Sequence, residues 1–588
     1  MIMNLIVVVL VLSIAYAWMV RGVFSALLHA LCALMAGAIA FAVWEPLSIM
    51  LVNASPERGF FSFLESIAWG ISLIIPFALA FLLLRMLSDK AVPNNIKNNT
   101  AVDYAGGAIF GAVTGVISMG ILVIGIGNMR ISTEGYRPLW YSDDRANGPG
   151  SLVEADSLWL PADKIVSALY ANLSRGTMST EQPLAYWYPE LHLTGFASRI
   201  SPGDGAARNA VRPEDFRIRA AYTVGPENGT QMSELLKLED GVQKYQDINK
   251  QTVTTGRLFG YVIEFEPGAK ERGEKGAGVL VVSNGQIRML AEDEDGNTQT
   301  IFPLAVISES SKPGQYGRWR FDAEGVFITS TGGKSQVPMG FEFAVPQGMT
   351  PVALFVKNVR VNTDELPDPV SYSSIEARDQ LIRKGGILEG GREEVVYNDE
   401  NAVLVTDTQQ LEEISRGTRM LEIVGSVPAK RSFTVNEDNE IVGGQGSFSV
   451  QDEIGRRNTP VSRNLRVERY EIGQGQAMVK LDVSSGSPFG FLTPAARSAP
   501  LDQPLKLIDT NGNAYEAIGF EYMDRELMEL RYTRGSTLTG VGDTPTLSTT
   551  RDDQRLRIMF IITDGVEIDR FAIGDVIVAR FNPPIRKE

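Results

Sequence analysis

The sequence predicts an N-terminal four-helix transmembrane bundle followed by a mainly β soluble region, folded as two tandem antiparallel β-sandwiches with short helical connectors. Three observations predict it. Four apolar runs, residues 2–20, 23–44, 66–87 and 105–127, dominate the first 127 positions. Each is close to the roughly 20 residues a helix needs to cross a hydrocarbon core. Past Asn128 no run of that length occurs, and short apolar segments alternate with Gly, Asn and Asp turn signals, the pattern of antiparallel sheets. The units so defined are a transmembrane domain (1–128), a juxtamembrane helical or mixed segment (129–211), a first sandwich (212–368), a connector with short helices (369–460) and a second sandwich (461–588).

Charge follows the same division. The membrane part holds five basic residues (Arg21, Arg58, Arg85, Lys90, Lys97) and five acidic ones (Glu45, Glu57, Glu65, Asp89, Asp103), so the whole net charge of −15 belongs to the soluble region. An acidic surface repels phosphate backbones, which argues against nucleic acid as a partner. Cys32 is the only cysteine, and the two histidines are His29 and His192. No intrachain disulfide can form, and a usual zinc site cannot be assembled. His29 reads as a neutral imidazole bonding within the bundle or snorkelling from a helix end, although an intramembrane ionisable group is a functional candidate by default. His192 reads as a half-buried surface residue.

The membrane elements follow in order. Ala15-Tyr16-Ala17 resembles a signal cleavage site, but Met1-Ile2-Met3-Asn4 lacks a basic leader, so the first span is expected to be retained. The first and third connections carry Arg21, Arg85, Lys90 and Lys97, while the second carries Arg58 among acids. Basic residues in short loops mark the cytoplasmic side, which places the soluble region outside; Arg130 and Arg137 count against this. Pro76 should kink the third helix. In the fourth, Gly107, Gly111 and Gly115 share one face, which lets a neighbouring backbone approach closely. Packing within the bundle is the expected use of that face, with self-association through it as the alternative.

Arg21-Gly22 between the first two spans, and Asp103 followed by glycines at 107, 111 and 115, resemble the colicin V production protein family over residues 1–128. Tyr104 and Thr114 stand where that family commonly has basic residues. The resemblance implies a small bundle in the bacterial inner membrane and a role in export or envelope homeostasis. Physically, Gly22 permits a tight turn, and Asp103 is placed to cap the fourth helix and to meet Arg21.

In the soluble region, Pro161 opens a helical pattern through Ile165, Val166, Leu169 and Leu173. With Trp159 and Tyr186-Trp187-Tyr188 it reads either as a juxtamembrane layer or, preferably, as core of the soluble domain. Residues 278–290 read as a hairpin around Asn284-Gly285, a pair suited to a type I′ turn. Asp295-Gly296 makes another turn, 341–345 alternates strictly, and 352–361 supplies a strand pair. A second stretch echoes the first: Gly296 to Gly348 and Gly512 to Gly565 are intervals of 52 and 53 residues, each running from a hairpin turn through apolar strands. Between the two, 375–383 and 409–420 carry helical patterns.

Chemistry is weakly signalled, and no catalytic, cofactor-binding or metal-ligating residue is assigned. The acidic run Glu292–Asn297 lacks the first and twelfth ligands of a calcium hand, where Ala291 and Phe302 stand; a solvated hairpin tip accounts for it. A serine protease needs Gly-Asp-Ser-Gly, and Gly203-Asp204-Gly205 lacks the serine. The expected function is therefore non-enzymatic: a bundle in the lipid bilayer anchoring extracytoplasmic modules for contact with an envelope protein or the cell wall. A component of a transport or secretion assembly is the alternative, and an unrecognised enzyme the third reading.

Overall fold

The computed structural model describes residues 2–56, 60–96, 99–130, 158–176, 183–198, 208–225, 230–231, 245–247, 251–253, 255–272, 278–322, 327–391, 395–416, 433–449 and 469–587. Its N-terminal part contains α1 (Ile2–Met19), α2 (Val23–Ala54), α3 (Leu64–Ala91) and α4 (Thr100–Gly127). All four are long and apolar enough to cross a membrane. α2 and α3 run on through Pro46 and Pro76 as single helices. At 32 residues, α2 is about 48 Å long at 1.5 Å per residue. That exceeds a hydrocarbon core of about 30 Å, and the surplus of about three turns, from near Trp44 onward, enters the soluble domain.

α4 is the centre of the bundle and packs against α1, α2 and α3. Its glycine face is covered by α1 of the same chain. A Cβ on Gly107 would stand 2.6 Å from the Trp18 carbonyl oxygen, on Gly111 2.9 Å from Ala15 Cα, and on Gly115 3.0 Å from Val11 Cα. Asn99, rather than Asp103, caps α4 by accepting from the Ala101 N–H at 3.1 Å. Asp103 turns instead to the start of α2, where its carboxylate accepts from the Val23 N–H at 3.4 Å. Gly22 adopts φ +95°, with Asp103 3.5 Å from where a Cβ would lie. The Arg21 guanidinium lies over the Trp18 ring at 4.9 Å. Arg21, Gly22 and Asp103 thus lie at one end of the bundle, the free end, while the soluble domain occupies the other.

Beyond α4 come α5 (Ala162–Arg175), α6 (Leu184–Trp187) and α7 (Leu191–Ala197), then a β-rich region. Its first half has β1 (Phe216–Val224), β2 (Thr255–Phe265), β3 (Val281–Ser283), β4 (Ile287–Glu292), β5 (Thr298–Ile301), β6 (Ala305–Glu309), β7 (Tyr316–Arg320), β8 (Phe327–Thr329), β9 (Val337–Val345), β10 (Thr350–Val356), β11 (Val359–Asn362) and β12 (Pro369–Tyr372). One sheet runs β7-β6-β9-β2-β1-β12 and another β11-β10-β4-β5. Ile263, Phe265, Phe341 and Phe343 from the first share a core with Met289, Leu354 and Val356 from the second.

The second half has β13 (Val403–Val405), β14 (Phe433–Val435), β15 (Glu440–Ser449), β16 (Gln476–Asp482), β17 (Leu505–Asp509), β18 (Ala514–Met523), β19 (Leu527–Thr533), β20 (Arg555–Thr563), β21 (Glu567–Ile573) and β22 (Val576–Arg586). Its pairing repeats that of the first half. β22-β21-β17-β18 matches β11-β10-β4-β5. β18 continues where the first half breaks into β5 and β6, then pairs β19 and β20 as β6 pairs β7 and β9. The turns agree in detail. Asp293 accepts from the Asp295 and Asn297 N–H groups at 3.0 and 2.8 Å, and Asp509 from those of Asn511 and Asn513 at 2.9 and 2.8 Å.

Two expectations change. The Asn284-Gly285 hairpin does not form: β3 pairs β8, and β4 pairs β5 and β10. Ser283 and Gln286 close a capping box, which winds Asn284–Gln286 into a 3₁₀ turn. Gly285 serves a different end, since a Cβ there would lie 2.1 Å from the Ala197 carbonyl oxygen of α7. The two-residue turn with positive φ at both positions is Lys357-Asn358, at 46° and 73°, joining β10 to β11. Of residues 369–460, expected as a connector, the described ones divide between the halves instead. β12 pairs β1, and α8 (Ile375–Arg383) packs on the first half, whereas β13, α9 (Thr408–Arg416) and β15 join the second.

Gly111→Ile should force α1 off α4 and cost about 1–3 kcal/mol, the usual range for overpacking. Ala112→Ile, on the neighbouring half-buried flank, should cost less. Thermal unfolding of both variants in the same detergent checks this; equal tolerance would remove the packing role of the glycine face.

Candidate functional site

The region where named side chains of the membrane unit and the soluble domain converge is the docking end of the bundle. Three layers build it. The first is aromatic. Trp44, at the point where α2 leaves the apolar run, donates through Nε1 to the Trp69 carbonyl at 2.7 Å. Its ring meets Trp69 edge-on at 5.7 Å and Tyr188 at 5.1 Å. Tyr188 in turn meets Phe355 of β10 at 5.6 Å, and the Arg288 guanidinium lies 4.0 Å over Phe355. Burial pushes the Tyr188 phenol well above its ordinary value and lowers Arg288 to about 10. Both groups are held dry between helix ends and sheet.

The second layer is a buried charge network around Glu65, in the first turn of α3. Arg208 reaches it through Nε at 2.7 Å and Nη2 at 2.5 Å, and Arg272 through Nη1 at 3.3 Å. The side chains of Arg208 and Glu65 are 4% and 11% exposed, so this pair is desolvated. Arg208 also donates to the Lys270 carbonyl at 3.0 Å, and its backbone N–H donates to Glu271 at 2.6 Å. Glu271 pairs with Arg130, just past α4, at 3.5 Å. Beneath them Lys357, fully buried in the β10–β11 turn, donates to the Val281 carbonyl at 3.1 Å. Burial lowers its ammonium to about 8.

The third layer clamps the extension of α2. Glu45 takes Arg360 of β11 in a two-pronged pair at 3.1 and 3.4 Å, a geometry that fixes orientation as well as distance. The same guanidinium lies 3.9 Å over the Trp187 ring. Arg212 donates to the Ser55 carbonyl at 2.8 Å. Asn128, ending α4, is buried against Gly195 of α7, and its carbonyl accepts from Asn209 at 3.4 Å.

In the sequence Glu45 and Glu65 stand only as acids of the second connection. The signal was present, since that connection is acid-rich and flanked by Trp44 and Trp69; its basic partners lie far along the chain. Arg130, which weighed against the assigned orientation, is bound to Glu271 rather than left as a loop charge. Arg137, and Ser201 to Gly205, lie outside the described residues. His29 stacks between Trp18 at 4.0 Å and Phe81 at 4.6 Å. His192 is half-buried on α7. Arg21, Gly22 and Asp103 are together at the free end, and Gly107, Gly111 and Gly115 line the α1 contact.

Charged groups gather at two further places in the β-rich region. A polar cleft of about 260 Å³ lies where the two β halves meet, lined by Arg219, Glu264, Glu309 and Lys334 and by Asn511 and Asn513. Four of its charges are spent on each other: Arg219 pairs Glu264 at 2.6 Å, and Lys334 pairs Glu309 at 2.5 Å. Deeper in the first half, Glu342 is fully buried and accepts from Arg318 at 2.5 Å, Arg378 at 2.7 Å and the Tyr222 hydroxyl at 2.9 Å. Burial alone would raise its carboxyl, but the two guanidinium groups bring it down to about 2. This cluster ties α8 to the sheet. Among the described residues no group of three or more His, Cys, Asp or Glu side chains is arranged to hold a metal ion. No family model, curated protein or solved structure matches this chain.

Two predictions follow from these charges. Glu65→Ala strands Arg208 in a dry seam and should cost about 3–5 kcal/mol, as for other broken buried pairs. Glu65→Met with Arg208→Met should recover part of that loss, and a double-mutant cycle in detergent measures it. Zero coupling would contradict the pair. For Glu342, the folded carboxyl lies below its unfolded value of about 4.3. Its stabilisation is complete above that pH and lost as pH falls toward 2. Glu342→Gln should therefore lower stability at neutral pH and flatten the acid limb of the stability curve; an unchanged limb would refute the assignment.

Proposed function

We propose that this chain is an integral protein of the bacterial cytoplasmic membrane in which a bundle of the colicin V production type anchors two related β-sandwiches on the extracytoplasmic side. The sandwiches serve contact with an envelope protein or the cell wall, and the chain performs no chemistry of its own. The observation that carries this reading is the docking seam. Glu45 and Glu65, charged groups at the ends of the spans, are engaged by Arg360 and by Arg208 of the soluble domain. A transport unit would draw on intramembrane charges. Here His29 is packed between two aromatic rings, which supports an anchor.

The repeated strand pairing of the two halves supports tandem modules of one design, and repeated modules suit binding duty. The orientation rests on the basic residues of the first and third connections against the acids of the second. Reporter fusions test it directly. A fusion at Asn95, in the α3–α4 connection, should report the cytoplasm, and one at the C-terminus should report the outside. The same side at both positions, or a cytoplasmic C-terminus, would overturn the proposal.

A further inference from the structure

We infer that α5 is a fifth membrane-embedded helix, lying across the outer half of the bundle with one face against phospholipid acyl chains. The inference rests on the reading of α1–α4 as membrane spans. At the leading end of α5, the Trp159 N–H donates to Asn4 Oδ1 of α1 at 2.7 Å. Along its middle, a Cβ on Gly120 of α4 would lie 2.4 Å from the Ala162 carbonyl oxygen and from Val166. Further along, the Tyr170 hydroxyl donates to the Leu34 carbonyl of α2 at 2.9 Å, and Gly37 leaves the space that its ring fills. α5 therefore bridges α1 and α2 across α4, and α1 and α2 make few contacts of their own.

Depth follows from the helix geometry. Leu34 lies eleven residues past the start of α2, about 16 Å at 1.5 Å per residue. A hydrocarbon core is about 30 Å thick, so the Tyr170 end lies well inside it. The Trp159 end is level with the third residue of α1, at the interface depth where tryptophan is favoured. At the levels α5 spans, the outward residues of the neighbouring helices are Leu5 and Val9 of α1 and Met35 and Ile39 of α2, all 42% or more exposed. Any layer that covers those side chains reaches α5 as well.

The outward side chains of α5 ahead of Asn172 agree with that placement, and the exposed Asn172 and Arg175 close its trailing end. Its buried face carries Asp163, Ser167, Tyr170 and Ser174 beside Ala162 and Val166. Its outward side carries Ile165 at 43% exposure and Ala168, led by Trp159 at 66%. Leu169 and Leu173 are half-exposed on the same side. A helix on a soluble domain turns its polar stripe to water; from Ile165 to Leu169, α5 turns Ser167 inward and Ile165, Ala168 and Leu169 outward.

The test uses the full chain in vesicles of phosphatidylethanolamine and phosphatidylglycerol, with single nitroxides in a Cys32→Ser background. Labels go at Ile165, at Leu82 on the exposed face of α3, and at Asp438 on the soluble domain. Collision with oxygen should exceed collision with a water-soluble nickel chelate at Ile165 and Leu82, and the order should reverse at Asp438. A water-exposed Ile165 with a lipid-exposed Leu82 would overturn the inference and leave the membrane reading standing. A water-exposed Leu82 would overturn both. Independently of any label, vesicles with brominated acyl chains should quench the wild-type chain more than Trp159→Phe; equal quenching would count against α5 as a lipid-facing element.

Discussion

The arrangement of this molecule depends on the buried pair between Glu65 and Arg208. It joins the first turn of a span to a residue 143 positions later, and both side chains have left water to make it. Burying two ions costs several kcal/mol each before their attraction is counted. The pair is therefore a weak source of net stability and a strong constraint on geometry. Once Glu65 is below the domain, a position that leaves it without Arg208 is severely penalised. Arg272, Glu271 and Arg130 extend the same constraint to the end of α4.

Favourable energy at the seam comes from elsewhere. The column Trp44, Tyr188, Phe355 buries large apolar surface, and each aromatic contact adds about 0.5–1.5 kcal/mol beyond area. Arg360 serves both purposes, pairing with Glu45 and covering Trp187. α2 must be long for this to work, because its last turns are the post on which the sheet edge β11 is fixed. The glycines of α4 serve the other side of the arrangement. They bring α1 close at Gly107, Gly111 and Gly115 and admit α5 at Gly120.

Much of the fold was legible in the sequence because it is local. The spans are continuous apolar runs, and the glycine face follows from helical spacing alone. The intervals between the turns at Gly296 and Gly512 and the glycines after them anticipated strand pairing that recurs in both halves. What was not legible depends on distant partners. Asn284-Gly285 has the composition of a hairpin turn, but its glycine answers to α7 and its neighbours Ser283 and Gln286 close a box. The connector dissolved because β12 and β13 each pair in parallel with a strand far away in sequence. At the candidate site, the acids were visible as a charge pattern and the arginines were not. Arg208 and Arg360 look like any others in an acidic domain.

The central claim is that the β-rich domain is fixed to the bundle as one body rather than tethered to it. Electron–electron distance measurement in lipid nanodiscs tests it most directly, with one nitroxide at Leu83 on the exposed face of α3 and one at Asp364 beyond β11, in the Cys32→Ser background. A fixed seam predicts a single narrow distance distribution. A broad or multi-peaked distribution in the otherwise unaltered chain would mean that the domain moves freely on its anchor, and would contradict the account.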